Sequence, residues 1–160
     1  MLFRSRLIQL SDIENDKNLI VLGSSRSNPW VKLFNERLDF RFEFDPSTTQ
    51  EIIRNTHPRT GEAATYVATA PGWATGESYA LIALLRNPNG NGRVLLIGGE
   101  NGEGTEAAGK LLGDESRLRS TLAKCGLNQG AIGRNFEILL HLNTLAGSPS
   151  NVDAIACHII

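Results

Sequence analysis

Leu19-Ile20-Val21-Leu22-Gly23-Ser24-Ser25-Arg26-Ser27-Asn28-Pro29-Trp30 and Val94-Leu95-Leu96-Ile97-Gly98-Gly99-Glu100-Asn101-Gly102-Glu103-Gly104-Thr105 decide the fold. Each is an apolar run that reads as a strand, ends in a glycine-rich loop and opens a helix. A strand that runs through glycines into a capped helix turns several backbone N–H groups toward one concavity. The helix dipole there favours an anionic or strongly polar guest. Two such loops on one sheet edge would make a pocket. The candidate ligand-binding residues are therefore Gly23, Ser24, Ser25, Arg26, Ser27 and Asn28 from the first loop, with Gly98, Gly99, Asn101, Gly102, Gly104 and Thr105 from the second.

Beyond the first loop, Asn28 or Ser27 can cap a helix with Pro29 in its first position, where a missing N–H costs nothing. Trp30, Leu33, Phe34 and Leu38 recur at helical spacing against Lys32, Asn35, Glu36 and Arg37. Asp39 to Asp45 alternates strictly, which puts Phe40, Phe42 and Phe44 on one face of a half-buried strand near a sheet edge. Between Pro46 and Gly76 the pattern weakens around a short strand at Thr65 to Thr69, broken by Pro58, Gly61, Pro71 and Gly72. Tyr79 to Leu85 and Arg93 to Ile97, separated by the turn residues Asn87 to Gly92, read as an antiparallel hairpin, so the sheet is mixed.

Thr105 is expected to cap the helix after the second loop, with Ala107, Ala108, Leu111 and Leu112 facing inward until Gly113 and Asp114 interrupt it. A further helix carries Leu118, Leu122 and Cys125 on one side and stops at Gly126. Phe136 to Leu145 and Val152 to Ile159 close the sheet, joined by Ala146 to Asn151. The predicted fold is α/β: a mixed sheet of about six to seven strands with flanking helices, a Rossmann-like sandwich.

The chain has 160 residues, 41% hydrophobic and 21% charged, enough for one globular domain with a real core. Its net charge is -1, and Lys and Arg form no cluster, which argues against direct nucleic-acid binding by these residues. No apolar stretch is long enough to span a bilayer and none follows the N-terminal arginines as a signal peptide would, so no membrane partner and a cytoplasmic location are expected. Cys125 and Cys157 lack the clustered spacings of a disulfide framework or a metal site and read as small core residues. Met1-Leu2-Phe3-Arg4-Ser5 matches a translated sequencing adaptor. Residues 1–10 are therefore expected to be a non-native or linker start, and 11–160 a single α/β domain whose natural chain extends further upstream.

Each candidate has a plain structural alternative. The Gly23 to Pro29 loop is also what a tight strand-to-helix turn requires, but Arg26 and the hydroxyl and amide side chains exceed that need. The second loop departs from the G-x-G-x-x-G spacing of dinucleotide sites and lacks the Gly-Lys-Ser/Thr ending of phosphate loops, so no cofactor is implied. Glu100 and Glu103 would repel an anion unless they turn outward or bind a ribose or a cationic group. Asn55, His57, Arg59 and Glu62 crowd a proline-broken loop. His57 and Glu62 offer an acid and base pair there, although a solvated surface loop is the preferred reading. His141 and His158 are expected as satisfied residues of the core or sheet face rather than ligands, with no metal site evident. Trp30 belongs to the core face of its helix, and Trp73 is a lid or a loop anchor.

The stretch Leu22 to Trp30, Phe40-Arg41-Phe42, Tyr79-Ala80, Gly104-Thr105-Glu106-Ala107-Ala108-Gly109 and Phe136-Glu137-Ile138-Leu139-Leu140 resembles an uncharacterised bacterial α/β family. The resemblance runs from about Ser11 to the end. It implies the C-terminal half of a longer protein, often one with an N-terminal winged-helix DNA-binding domain, and a sheet that a preceding segment would complete. The functional expectation is a ligand-binding or sensory domain of a regulatory protein that takes a small anionic or polar molecule at the two glycine loops. One alternative is a nucleotide or nucleoside hydrolase of deoxyribosyltransferase-like or TIR-like type with Glu100 or Glu62 as its working carboxylate. The other is a structural or oligomerisation module.

Overall fold

β1 (Leu19–Leu22) lies parallel to β6 (Arg93–Gly99) with Leu19 opposite Val94 and Leu22 opposite Ile97, so both glycine loops leave the same end of one sheet. This computed structural model describes residues 18–69, 75–88, 91–127 and 133–160. Trp73 and the proposed non-native start lie outside the described residues.

β5 (Gly76–Arg86) forms the expected antiparallel hairpin with β6, Ala80 opposite Gly99 and Arg86 opposite Arg93. The closing strands β7 (Phe136–Leu145) and β8 (Ser148–Ile159) complete a five-stranded sheet in the order β1-β6-β5-β7-β8. Their turn is shorter than expected because Ala146 (φ 49°) and Gly147 (φ 78°) both take the left-handed region, the geometry of a two-residue hairpin.

The expected single sheet of a Rossmann-like sandwich is corrected. β2 (Phe40–Asp45), β3 (Gln50–Asn55) and β4 (Thr65–Tyr66) form a separate three-stranded antiparallel sheet, with β2 and β4 at its edges. A doubly wound fold needs successive parallel strands whose crossover helices cover both faces. In the five-stranded sheet, β1 with β6 is the parallel pair and the other pairings are antiparallel. One face packs on the small sheet and a single helical turn, the other on two helices, giving two apolar layers.

The first layer holds Phe34, Phe40, Phe42 and Ile53 against Leu81, Leu96 and Leu139. The second holds Ala107, Ala108 and Leu111 against Ile82, Ile138 and Leu140. α1 (Val31–Asn35) is shorter than its apolar spacing suggests. It buries Val31 and Phe34, while Leu33 stays exposed and Trp30 is only partly covered. The Phe40, Phe42, Phe44 stripe is likewise incomplete, because Phe44 runs past the core and is exposed.

α2 (Gly102–Gly113) starts before Thr105. Its N-cap is Asn101, whose Oδ1 accepts from the Gly104 N–H at 2.9 Å. Asp114 closes α2 and caps α3 (Glu115–Lys124), accepting from the Arg117 N–H, and Gly126 follows at φ 68°. Cys125 and Cys157, expected as free core residues, form a disulfide with Cα atoms 5.5 Å apart. The helical layer brings the end of α3 over β8, so a separation of 32 residues in sequence is closed only in space. Among the described residues no helix is long and apolar enough to cross a membrane.

Candidate functional site

The predicted loop residues do converge, and they pack mainly on one another. The Gly23 N–H donates to the Ile97 carbonyl at 2.9 Å, Ser24 N–H to Ser27 Oγ at 2.9 Å and Asn28 N–H to the Ser24 carbonyl at 2.9 Å. In the second loop Gly99 N–H donates to Thr105 Oγ1 at 3.0 Å, and Thr105 N–H to the Asn101 carbonyl at 3.3 Å. A Cβ on Gly98 would collide with the Gly23 carbonyl oxygen, and one on Gly99 would lie 2.6 Å from the Gly104 Cα. Gly98 serves close approach between the loops, and Gly99 close approach within the second. Asn28 Nδ2 ties the first loop to the Leu22 carbonyl at 2.9 Å. Arg26 reaches outward over the Phe44 ring, 5.4 Å from its centroid, and Gly102 has open space beside it.

Carboxylates stand beside this joint. Glu51, on β3, is only 4% exposed, and its Oε1 accepts from Ser25 Oγ at 2.5 Å. Its Oε2 is buried and, among the described residues, has no hydrogen-bond partner, and neither has Asn101 Nδ2. Glu100 turns inward and accepts the backbone N–H groups of Ala68 and Tyr79, both at 3.1 Å. Burial pushes the Glu100 carboxyl up to about 8 against those two donors, and the Glu51 charge adds to the rise.

A second polar cluster sits at the other end of both sheets. His158, on β8, is 0% exposed. Its Nδ1 is 2.8 Å from Asp39 Oδ2 and its Nε2 is 3.0 and 3.1 Å from the two oxygens of Glu62. An imidazole with a carboxylate on each nitrogen is fully satisfied when both nitrogens carry protons. Phe40 covers the ring, with centroids 4.5 Å apart.

Glu62 also accepts from Asn55 Nδ2 at 2.8 Å and from the Arg59 N–H at 3.0 Å. Burial raises the Glu62 carboxyl, but the Arg59, Asn55 and His158 donors prevail and hold it below its ordinary value. Asp39 behaves alike: burial raises it, and hydrogen bonds from His158 and His57 bring it down. Glu137, opposite His158 on β7, receives the N–H groups of Asp39 at 2.6 Å and Phe40 at 3.0 Å, yet burial pushes it up to about 7.

The sequence expectation paired His57 with Glu62. The structure instead sets exposed His57 on Asp39, Nδ1 to Oδ1 2.6 Å, and Glu62 on His158. Among the described residues, Asp39, Glu137 and His158 bring ligand atoms within 4.8 Å of one another and are the group able to hold a metal ion. His141, on β7, lies 3.6 Å from Glu77 and stacks near Tyr79, apart from this group. A shallow depression of ≈ 580 Å³ on α3, lined by Glu115, Ser116, Arg119, Ser120 and Ala123, touches neither cluster.

Sequence reading missed Glu51, Asp39 and Glu137 as site residues. A faint signal existed for the second cluster, since Glu137 and His158 each interrupt an otherwise apolar run, and a charge inside a buried run requires a partner. No protein-family model, curated protein or solved structure matches the chain.

Proposed function

We propose that this chain is a ligand-binding domain of sensory type, whose guest is a small donor-rich molecule held where Ser25, Glu51 and Glu100 meet the glycine loops. The observation that carries this reading is the Glu51 carboxylate, buried beside the loops with one oxygen lacking a donor. An unsatisfied buried acceptor costs roughly 1–3 kcal/mol, which a ligand hydroxyl or ammonium would recover. The Glu51 carboxylate disfavours a bare anion, and the loop N–H groups named above already have partners. The expectation of an anionic or polar molecule thus narrows to a polar one, with Arg26 at the rim for any acidic portion. In a longer regulatory protein with a winged-helix domain, as the sequence resemblance implies, binding here would bias the position of the attached domain.

A thermal-shift series with ribose, adenosine, ethanolamine and inorganic phosphate tests the reading. A bound probe at about 100 times its Kd stabilises the fold by about 2.7 kcal/mol. The expected result is a shift with a hydroxyl- or amine-bearing probe that disappears in Glu51→Gln. No shift with any of the four, on a folded chain, rejects it.

The Glu100 carboxyl, held up to about 8, favours a second reading. It is a neutral acid at neutral pH beside the loops, as a nucleoside hydrolase requires of its general acid. Release of free base from adenosine, lost in Glu100→Gln, would replace the sensory reading. Binding without release would remove this one.

A further inference from the structure

We propose that Asp39, Glu137 and His158 bind one divalent first-row transition ion, which ties the edge of the three-stranded sheet to β7 and β8. The site is independent of the glycine loops. Asp39 Oδ2 and His158 Nδ1 are 2.8 Å apart. Two ligand atoms on one ion, with bonds of about 2.1 Å, are separated by about 3.0 Å at a right angle and about 3.4 Å at the tetrahedral angle, so this pair parts slightly to admit an ion. The Glu137 ligand atom completes a set in which all three lie within 4.8 Å, so closure onto an ion needs only small inward movements. Each Glu137 oxygen accepts one backbone N–H and keeps a second lone pair.

The far side of the imidazole has the arrangement that metal-bound histidines show. Its Nε2–H is held by Glu62, itself fixed by the Arg59 N–H and Asn55 Nδ2, so the ring orientation is set and Nδ1 faces Asp39. Charge points the same way. Three carboxyl groups surround one fully buried imidazole, and any negative charge left unbalanced in a low-dielectric interior is costly. A divalent cation removes that imbalance, taking the place of the Nδ1 proton, which leaves to solvent. His57, largely exposed and 2.6 Å from Asp39 Oδ1, marks the open side through which an ion arrives. One imidazole with carboxylates suits zinc, iron, cobalt or manganese better than a softer or a larger ion.

The test is calorimetric titration of the chelator-treated full chain with Zn2+, with Co2+ as a visible-spectrum probe and Mg2+ as a hard-cation control. Expected are one Zn2+ per chain, Co2+ bands that Zn2+ displaces, and a thermal midpoint raised by Zn2+ far more than by Mg2+. Glu62→Gln, which leaves the three ligands in place, should weaken Zn2+ binding roughly 10- to 100-fold. Glu137→Gln should weaken it further, with circular dichroism confirming the fold of both variants. Absence of binding overturns the proposal. So does Zn2+ binding undiminished in both variants, which would place the ion elsewhere, on His57 or His141.

Discussion

The two ends of the inter-sheet core hold the same chemical group in opposite conditions. At the glycine-loop end, near the Phe44–Glu51 pair of β2 and β3, the four carboxylate oxygens of Glu51 and Glu100 have three donors between them. Glu51 keeps a bare oxygen, and burial lifts Glu100 to about 8. At the Phe40–Asn55 end, Asp39 and Glu62 are held below their ordinary values by two imidazoles, a side-chain amide and a backbone N–H. Burial is common to both ends. Depth and neighbour together decide the sign: the deeply buried Glu100 and Glu137 are raised despite backbone N–H donors, whereas the shallower Asp39 and Glu62 are lowered by their hydrogen bonds, those of the histidines included. The saturated end is thus built for cohesion or for an ion, and the unsaturated end is where a guest has something to add.

The largest break in this contrast comes from His158→Ala. Removing the imidazole takes from Asp39 and Glu62 the buried partner they share beside Glu137, and the loss should reach about 3–5 kcal/mol in urea unfolding. A loss near zero would show that the saturated end contributes no cohesion. Next is Cys125→Ser with Cys157→Ser. The bond closes a loop with separation 32 and anchors the residue next to His158, so about 2–4 kcal/mol should be lost, with earlier hydrogen exchange at the end of β8. Unchanged unfolding would make the bond incidental to the cluster.

Gly98→Ala addresses the other end. The added methyl group meets the Gly23 carbonyl, and overpacking of this kind costs about 1–3 kcal/mol. If the variant keeps full stability, the loops are less tightly joined than the contrast requires.

The same contrast extends to pH dependence. Because Glu100 holds its proton more tightly folded than unfolded, its contribution is fully present below its ordinary value of 4.5 and is lost as pH rises through about 8. Asp39 and Glu62 act in reverse: their contributions are present above the ordinary carboxylate range and are lost as pH falls through their lowered values. Glu100→Gln should flatten the alkaline limb of a stability profile and leave the acid limb intact. An unchanged alkaline limb would remove Glu100 from the comparison.

Much of the scaffold was legible locally. The β5–β6 hairpin follows from two apolar runs around turn residues, the end of α3 from Gly126, and the shared edge of the glycine loops from the repeated strand-to-helix pattern. β3 escaped notice because Gln50-Glu51-Ile52-Ile53-Arg54-Asn55 neither alternates cleanly nor forms a long apolar run. Its sequence makes sense only once Ile52 and Ile53 are buried and Glu51 faces Ser25. The His158 cluster escaped for a different reason. Its partners lie 96 and 119 residues away along the chain, beyond any periodicity.

By itself, then, the sequence determined the short-range features: strand and helix identity, the glycine turns, the absence of a basic stripe and the mixed character of the sheet. These depend on side-chain period and backbone freedom within a few residues. Only the tertiary structure decided that β2, β3 and β4 separate into their own sheet, that Cys125 meets Cys157, and which carboxylates receive an imidazole. Those outcomes depend on which distant surfaces are buried against each other, and the energy of a buried charge or thiol pair exists only after that choice is made.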